Sequence, residues 1–210
     1  AKPADMATGA AFLWDGHGVK AIAPFDPVDI DLLTGIDQQK TRLLDNSRRH
    51  ARGHGAHDVL LWGSRGMGKS ALAKSVIRAL QTQGEDIALV EAPSDQLENL
   101  PELFAMRLYV PSNRRHIVSR QMSEQDDPVN PRDAVDDQLA LSDRFGLRLG
   151  FHAASQDDYL AIISRYAAAH DLKFEREDAL LWAKQRGSRS GRVAWQYIIE
   201  LAGRAGRSLA

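Results

Sequence analysis

Apolar residues change their spacing several times along this chain, and each change predicts an element. Short apolar runs at 12–14 and 19–22 flank Asp15-Gly16-His17-Gly18, which predicts a hairpin. A connector at 24–27 leads to a segment with Leu32, Leu33, Ile36, Leu43 and Leu44, whose second half, 37–50, predicts a helix. A Gly/His loop follows at 53–57. Residues 58–62 (Asp-Val-Leu-Leu-Trp) are almost wholly apolar, the mark of a strand covered on both faces. Residues 69–83 place Leu72, Val76, Ile77 and Leu80 on one helical face, and 87–90 is a second apolar run. The stretch 58–90 therefore predicts one βαβ unit.

Further along, 95–106 predicts a helix containing Pro101, and 108–110 a third strand ending at Pro111-Ser112-Asn113. Residues 122–137 are polar and acidic with two prolines, which predicts a loop. A strand is expected at 147–151. After that the pattern is helical. Ser155 followed by Asp158 is a helix-start signature leading into 159–170, with further helices at 176–186 and 190–204. The expected organisation is an N-terminal hairpin and helix (1–57), an α/β core (58–152) and a small all-helical unit (153–210).

Composition narrows this only modestly. Charge is balanced, 27 Lys+Arg against 28 Asp+Glu, so nothing pulls the whole chain toward nucleic acid or an anionic membrane. The absence of cysteine excludes disulfides and Cys-ligated zinc and accords with a cytoplasmic location. No apolar run is long enough to span a membrane, and the first nine residues lack a signal-peptide pattern. The seven histidines show no zinc spacing.

The most specific feature is Gly63-Ser64-Arg65-Gly66-Met67-Gly68-Lys69-Ser70, placed between an apolar strand and a helix and running on into Ala71. This is the G-x-x-x-x-G-K-[ST] phosphate loop in the context it requires. Glycines let successive N–H groups curl toward phosphate oxygens, and the helix N-terminus adds partial positive charge. Lys69 can reach the β and γ phosphates, and Ser70 can offer its hydroxyl to Mg²⁺. The loop predicts binding of a nucleoside triphosphate, ATP with Mg²⁺. Binding does not by itself imply hydrolysis.

With the loop placed, the chain resembles the AAA+ ATPases, and more closely a bacterial family of AAA-type ATPases of uncharacterised role. The resemblance is carried, in order, by Leu33-Thr34-Gly35-Ile36-Asp37-Gln38-Gln39-Lys40, the loop, Ser112-Asn113-Arg114-Arg115-His116, Leu141-Ser142-Asp143-Arg144-Phe145-Gly146-Leu147, and Ser190-Gly191-Arg192-Val193-Ala194-Trp195-Gln196. It implies a parallel sheet with flanking helices followed by a helical lid. It also implies that Gly35 and Ile36 lie near adenine, that Asn113 is sensor 1, that Arg192 is sensor 2, and that Arg144 is an arginine finger acting on a neighbouring subunit, hence a homo-oligomer. Plainer readings stand beside these: a turn into a helix at Gly35, a strand-end Asn113, an Arg144–Asp143 ion pair, and a solvated Arg192 in a basic run.

One family element is missing. A Walker B strand, apolar and ending in paired acids, should lie between the second strand and Asn113, and residues 91–106 contain none. Glu91 ends the second strand and does not fill the role. Losing that strand would leave backbone groups unpaired inside a parallel sheet. Either the chain is a shortened, non-hydrolysing relative, or the intact protein has further residues between Met106 and Arg107; the well-matched flanks favour the latter. The expected function is an AAA+-type ATPase module driving a remodelling or assembly task on an unknown protein client. The alternative is a nucleotide-gated scaffold without turnover. A small-molecule phosphotransferase would need an acceptor signature, and none is visible. Basic clusters at Arg48-Arg49-His50-Ala51-Arg52 and Arg114-Arg115-His116 permit nucleic-acid binding, although a solvated helix end explains the first as well.

Overall fold

The computed structural model describes residues 11–14, 17–23, 25–92, 107, 109–112 and 145–209. Asn113, Arg144, the expected helix at 95–106 and the acidic loop at 122–137 lie outside the described residues.

The central strand is β3, Val59–Gly63. It is parallel to both of its neighbours, β5 (Tyr109–Ser112) and β6 (Leu147–Phe151), giving the order β5-β3-β6. Val59, Leu60 and Leu61 are fully buried, as an unbroken apolar run requires when both faces are covered. The expected strands at 58–62, 108–110 and 147–151 are therefore present, shifted at their ends by a residue or two.

The N-terminal hairpin is present as β1 (Ala11–Trp14) and β2 (Val19–Ala21), antiparallel with Leu13 opposite Lys20. Its role differs from expectation. The strand after the phosphate-loop helix, β4 (Leu89–Glu91), does not hydrogen-bond to β3; it runs parallel to β1 in a separate sheet of order β2-β1-β4. Residues 58–90 are thus a strand, a helix and a strand, with the two strands in different sheets. Local pattern announces a strand but not its partner, because pairing depends on residues distant in sequence.

Helix α1 (Asp37–Ala51) starts with Asp37 and ends with Arg48, Arg49 and His50, a charge order that suits the helix dipole. Two of its buried polar residues bolt it to the sheet. Asn46 donates its amide to the His57 carbonyl and accepts the His57 N–H, both at 2.9 Å. The Ser47 hydroxyl donates to Leu43 O and shares a 2.7 Å hydrogen bond with the Tyr109 hydroxyl on β5. Helix α2 (Lys69–Thr82) buries Leu72, Val76, Ile77 and Leu80, the face expected from their spacing.

After β6 come α3 (Gln156–Ala169), α4 (Arg176–Gln185) and α5 (Gly191–Arg204). Ser155 and Asp158 form a full capping box: the Ser155 hydroxyl accepts the Asp158 N–H while the Asp158 side chain accepts the Ser155 N–H. Tyr159, Ile162, Ile163 and Tyr166 are buried, as their spacing predicts. They join Phe151, Leu61 and Leu72 in one continuous apolar cluster, so the helices share a core with the sheet. Trp182 packs on Tyr197 with ring centres 5.7 Å apart.

Candidate functional site

The loop between β3 and α2 is held in a conformation that its glycines make possible. Gly63, Gly66 and Gly68 have φ of 119°, 78° and 83°, in the region that side-chain-bearing residues rarely occupy. At Gly63 there is no space either: a Cβ would lie 2.1 Å from the Phe151 carbonyl oxygen. That carbonyl accepts the Ser64 N–H at 2.8 Å, stitching the start of the loop to the end of β6.

Lys69 opens α2 and is buried, 5% exposed. Its ammonium donates to the carbonyls of Gly63 at 3.0 Å and Ser64 at 2.7 Å, and no carboxylate pairs with it among the described residues. Burial pushes its pKa below the usual lysine value, because desolvation disfavours the charged form. A buried cation satisfied only by loop carbonyls, at a helix N-terminus, is a partner in waiting for anionic oxygens. Ser70 beside it is exposed and Met67 is buried.

The far side of the loop meets α5. Ser190 caps α5 by accepting the Val193 N–H, and the Arg192 N–H donates to the Gly66 carbonyl at 3.1 Å. The contact is close, since a Cβ on Gly66 would come within 2.9 Å of Ser190 Oγ. Between the loop and the α4–α5 connection opens a cleft of about 1300 Å³. Arg65, Lys184, Arg189 and Arg192 line it, with no acidic residue, and none of the four forms an ion pair among the described residues. Such a cleft focuses positive potential beside the loop.

On the other side of Met67 lies a pocket of about 90 Å³, walled by Gly35, Ile36, Ala154 and Ile162 and edged by Gln39 and His152. Gly35 and Ile36 are thus brought to the loop, and Arg192 faces it. Asn113 and Arg144 lie outside the described residues, and so does nearly all of the stretch where a Walker B strand was sought. Glu91 forms an ion pair with Lys74. Among the described residues no three His, Asp or Glu side chains gather as a metal site.

Sequence reasoning missed Gln39, His152 and Ser190 as site residues. Ser190 carried a signal, since a serine just before an apolar-periodic helix is a cap. Gln39 lay in a stretch that carries the resemblance but was given no role, and His152 carried no signal, because their places depend on how β6 lies against α1. Two of the three arginines in the basic cluster near Arg48 are paired: Arg48 with Asp45, and Arg52 with Glu85 at 2.9 Å. The Glu85 carboxyl is held below its ordinary range chiefly by the Arg52 hydrogen bond. No helix among the described residues is long and apolar enough to cross a membrane.

The fold has counterparts among solved structures. The RuvB Holliday junction branch migration motor of Thermotoga maritima superposes with a TM-score of 0.52 at 20% identity, over 87% of this chain and 68% of that one. A mutant form of that RuvB gives 0.54 at 18% identity over the same shares, and another gives 0.51 at 18%. At such identities the likeness speaks for the fold, a parallel sheet with flanking helices of the AAA+ P-loop class. No curated protein sequence matches the chain significantly. A family model does match, over residues 7–107 and again over 105–205. The chain has a RuvB-like AAA+ fold and belongs to the family described as "Protein of unknown function (DUF815)".

Proposed function

We propose that the chain is an ATP-binding module of the AAA+ type that couples Mg-ATP binding, and hydrolysis in the intact protein, to a remodelling or assembly task on a protein client. The observation that carries the reading is Lys69: a buried ammonium held by loop carbonyls at the start of α2, beside a cleft lined by four basic residues and no acid. That donor set suits the phosphates of a nucleoside triphosphate.

In this reading the N–H groups from Gly66 to Ala71 take phosphate oxygens, together with Ser64 and Arg65 at the loop's entrance, and Lys69 spans the β and γ phosphates. The Ser70 hydroxyl would hold Mg²⁺, which supplies charge neutralisation across the phosphates. Gly35 and Ile36 flank the base. Arg192 reaches the γ-phosphate in cis from α5, with residues 153–210 acting as the lid. Asn113 orients water, and Arg144 acts on a neighbouring protomer, which makes the working form a homo-oligomer. A DNA substrate such as a Holliday junction is not favoured, because Arg48 and Arg52 are already paired with carboxylates.

A second reading, a nucleotide-gated scaffold without turnover, is favoured by the missing Walker B strand. The two family matches meet at 105–107, where that strand would enter. This junction supports further residues between Met106 and Arg107 in the intact protein. Phosphate release separates the readings. Turnover abolished by Lys69→Ala supports the ATPase; tight ATP binding without turnover supports the scaffold; absence of ATP binding would sink both. Mass spectrometry of the protein expressed from its native gene should exceed 23.2 kDa if the strand is present there.

A further inference from the structure

The small pocket beside Met67 contains an amide whose orientation is dictated by the sheet. In a strand, successive carbonyls point to opposite sides. Phe151 O points toward β3, where it accepts the Ser64 N–H. Gly150 O therefore points to the outer edge of β6, which has β3 as its only strand neighbour among the described residues. There the Gln39 amide nitrogen donates to it at 2.6 Å across 111 residues of sequence. A carbonyl can only accept, so the NH₂ branch of Gln39 must face Gly150, and the amide cannot be flipped without placing oxygen against oxygen. Oε1 is then the branch left for the pocket's contents.

Two of the other polar side chains edging the pocket, Thr34 and Asp158, make hydrogen bonds of their own, and a third, His152, packs against an aromatic ring. The Thr34 hydroxyl donates to Leu32 O at 3.4 Å. The Asp158 carboxylate accepts the Ser155 N–H and hydroxyl in the capping box, which also holds its pKa below the ordinary aspartate value. The His152 ring sits edge-on to Trp62, with centres 6.1 Å apart. Gln39 Oε1 has no partner among the described residues, and it is an acceptor only. Around it Ile36, Met67, Ala154 and Ile162 offer apolar walls suited to a flat base.

We propose that Gln39 is the specificity-determining residue for the base: its Oε1 accepts from the 6-amino group of adenine and opposes the 6-oxo group of hypoxanthine or guanine. The assignment rests on the nucleotide reading above and adds to it which purine is chosen and by which atom. Gly150 O acts as a positioning group, since it sets which end of the amide meets the base.

The test is competition of ATP, ITP and GTP against a ribose-labelled fluorescent ATP analogue bound to the full chain with Mg²⁺. ATP should displace it at roughly tenfold lower concentration than ITP, the value of one hydrogen bond gained against one acceptor clash. In Gln39→Leu and Gln39→Met the ATP:ITP ratio should fall toward one, with circular dichroism unchanged. A merely structural role, closing the edge of β6, would lower affinity for both nucleotides and leave their ratio where it was. Equal affinity of the unaltered protein for ATP and ITP overturns this assignment and leaves the nucleotide site standing, and that measurement needs no variant to fold. An unchanged ratio in either folded variant also overturns it. Failure of every nucleotide to displace or bind overturns both readings.

Discussion

The phosphate loop and the helices α3–α5 meet at Gly66, Ser190 and Arg192, and they are built on opposite terms. The loop breaks the ordinary rules of stability. Three glycines hold positive φ, and a buried lysine has no carboxylate partner among the described residues. The helices keep closer to those rules, although Tyr159 Oη and Trp182 Nε1 are buried without a hydrogen-bond partner among the described residues. They have a full capping box, tilted aromatic pairs, and ion pairs such as Arg204–Asp178 at 2.8 Å. Even the buried tyrosines there are quiet: burial pushes the Tyr159 hydroxyl up to about 12, so it stays neutral at any working pH. Departures from local consistency collect where a protein works, and the surrounding structure must supply the stability they forgo. Here β6 and α5 do so, by hydrogen-bonding the loop from both sides.

Variants on either side of that contact should behave accordingly. The largest effect is expected at Gly63→Ala, where both φ and the Phe151 carbonyl forbid a side chain. A loss of roughly 2–4 kcal/mol in urea unfolding is anticipated; a loss below about 1 kcal/mol would mean the loop is softer than its contacts indicate. Lys69→Ala should divide stability from function most cleanly. ATP affinity is expected to fall by about 100-fold or more, while the ligand-free melting temperature holds or rises, because an uncompensated buried charge is removed. A large drop in that melting temperature would show Lys69 to be a structural clamp instead. For that lysine the folded pKa is the lower one, so the unfolded chain binds more protons between the two values and stability rises with pH there, in the alkaline range.

Ser190→Ala removes a cap at the contact itself and should cost about 1 kcal/mol. If α5 communicates with the loop, it should also weaken ATP binding, whereas an equal loss of stability with unchanged binding would confine Ser190 to capping. The smallest effect belongs to Asp158→Asn, distant from the phosphates. It should cost about 0.5–1 kcal/mol at neutral pH. The carboxyl's folded pKa is depressed below 3.8, mainly by the Ser155 hydroxyl, so the stability it contributes is present above that value and lost as pH falls through the folded one. The gap between variant and parent should therefore close in acid, and a gap independent of pH would contradict the hydrogen-bond origin of the shift.

Local residue chemistry was enough to announce much of this molecule. Gly63 to Ser70 declares a phosphate loop because each position there has a local mechanical duty: a curl, a helix start, a cation, a hydroxyl. The apolar run before it declares a central strand, the Ser155/Asp158 pair declares a helix start, and helical spacing names the buried faces of α2 and α3. What no local pattern could tell is which strands pair. β4 lies beside β1 rather than β3, Gln39 meets Gly150 across the edge of β6, and the N-terminus of α5 closes on Gly66. Those contacts join residues separated by tens to more than a hundred positions, and they follow from how elements stack to bury a shared core. Sequence by itself therefore determined that a glycine-rich loop with the phosphate-binding pattern opens α2. Only the tertiary structure decided what surrounds it: a basic cleft on one side, an oriented amide on the other, and a helix cap between them.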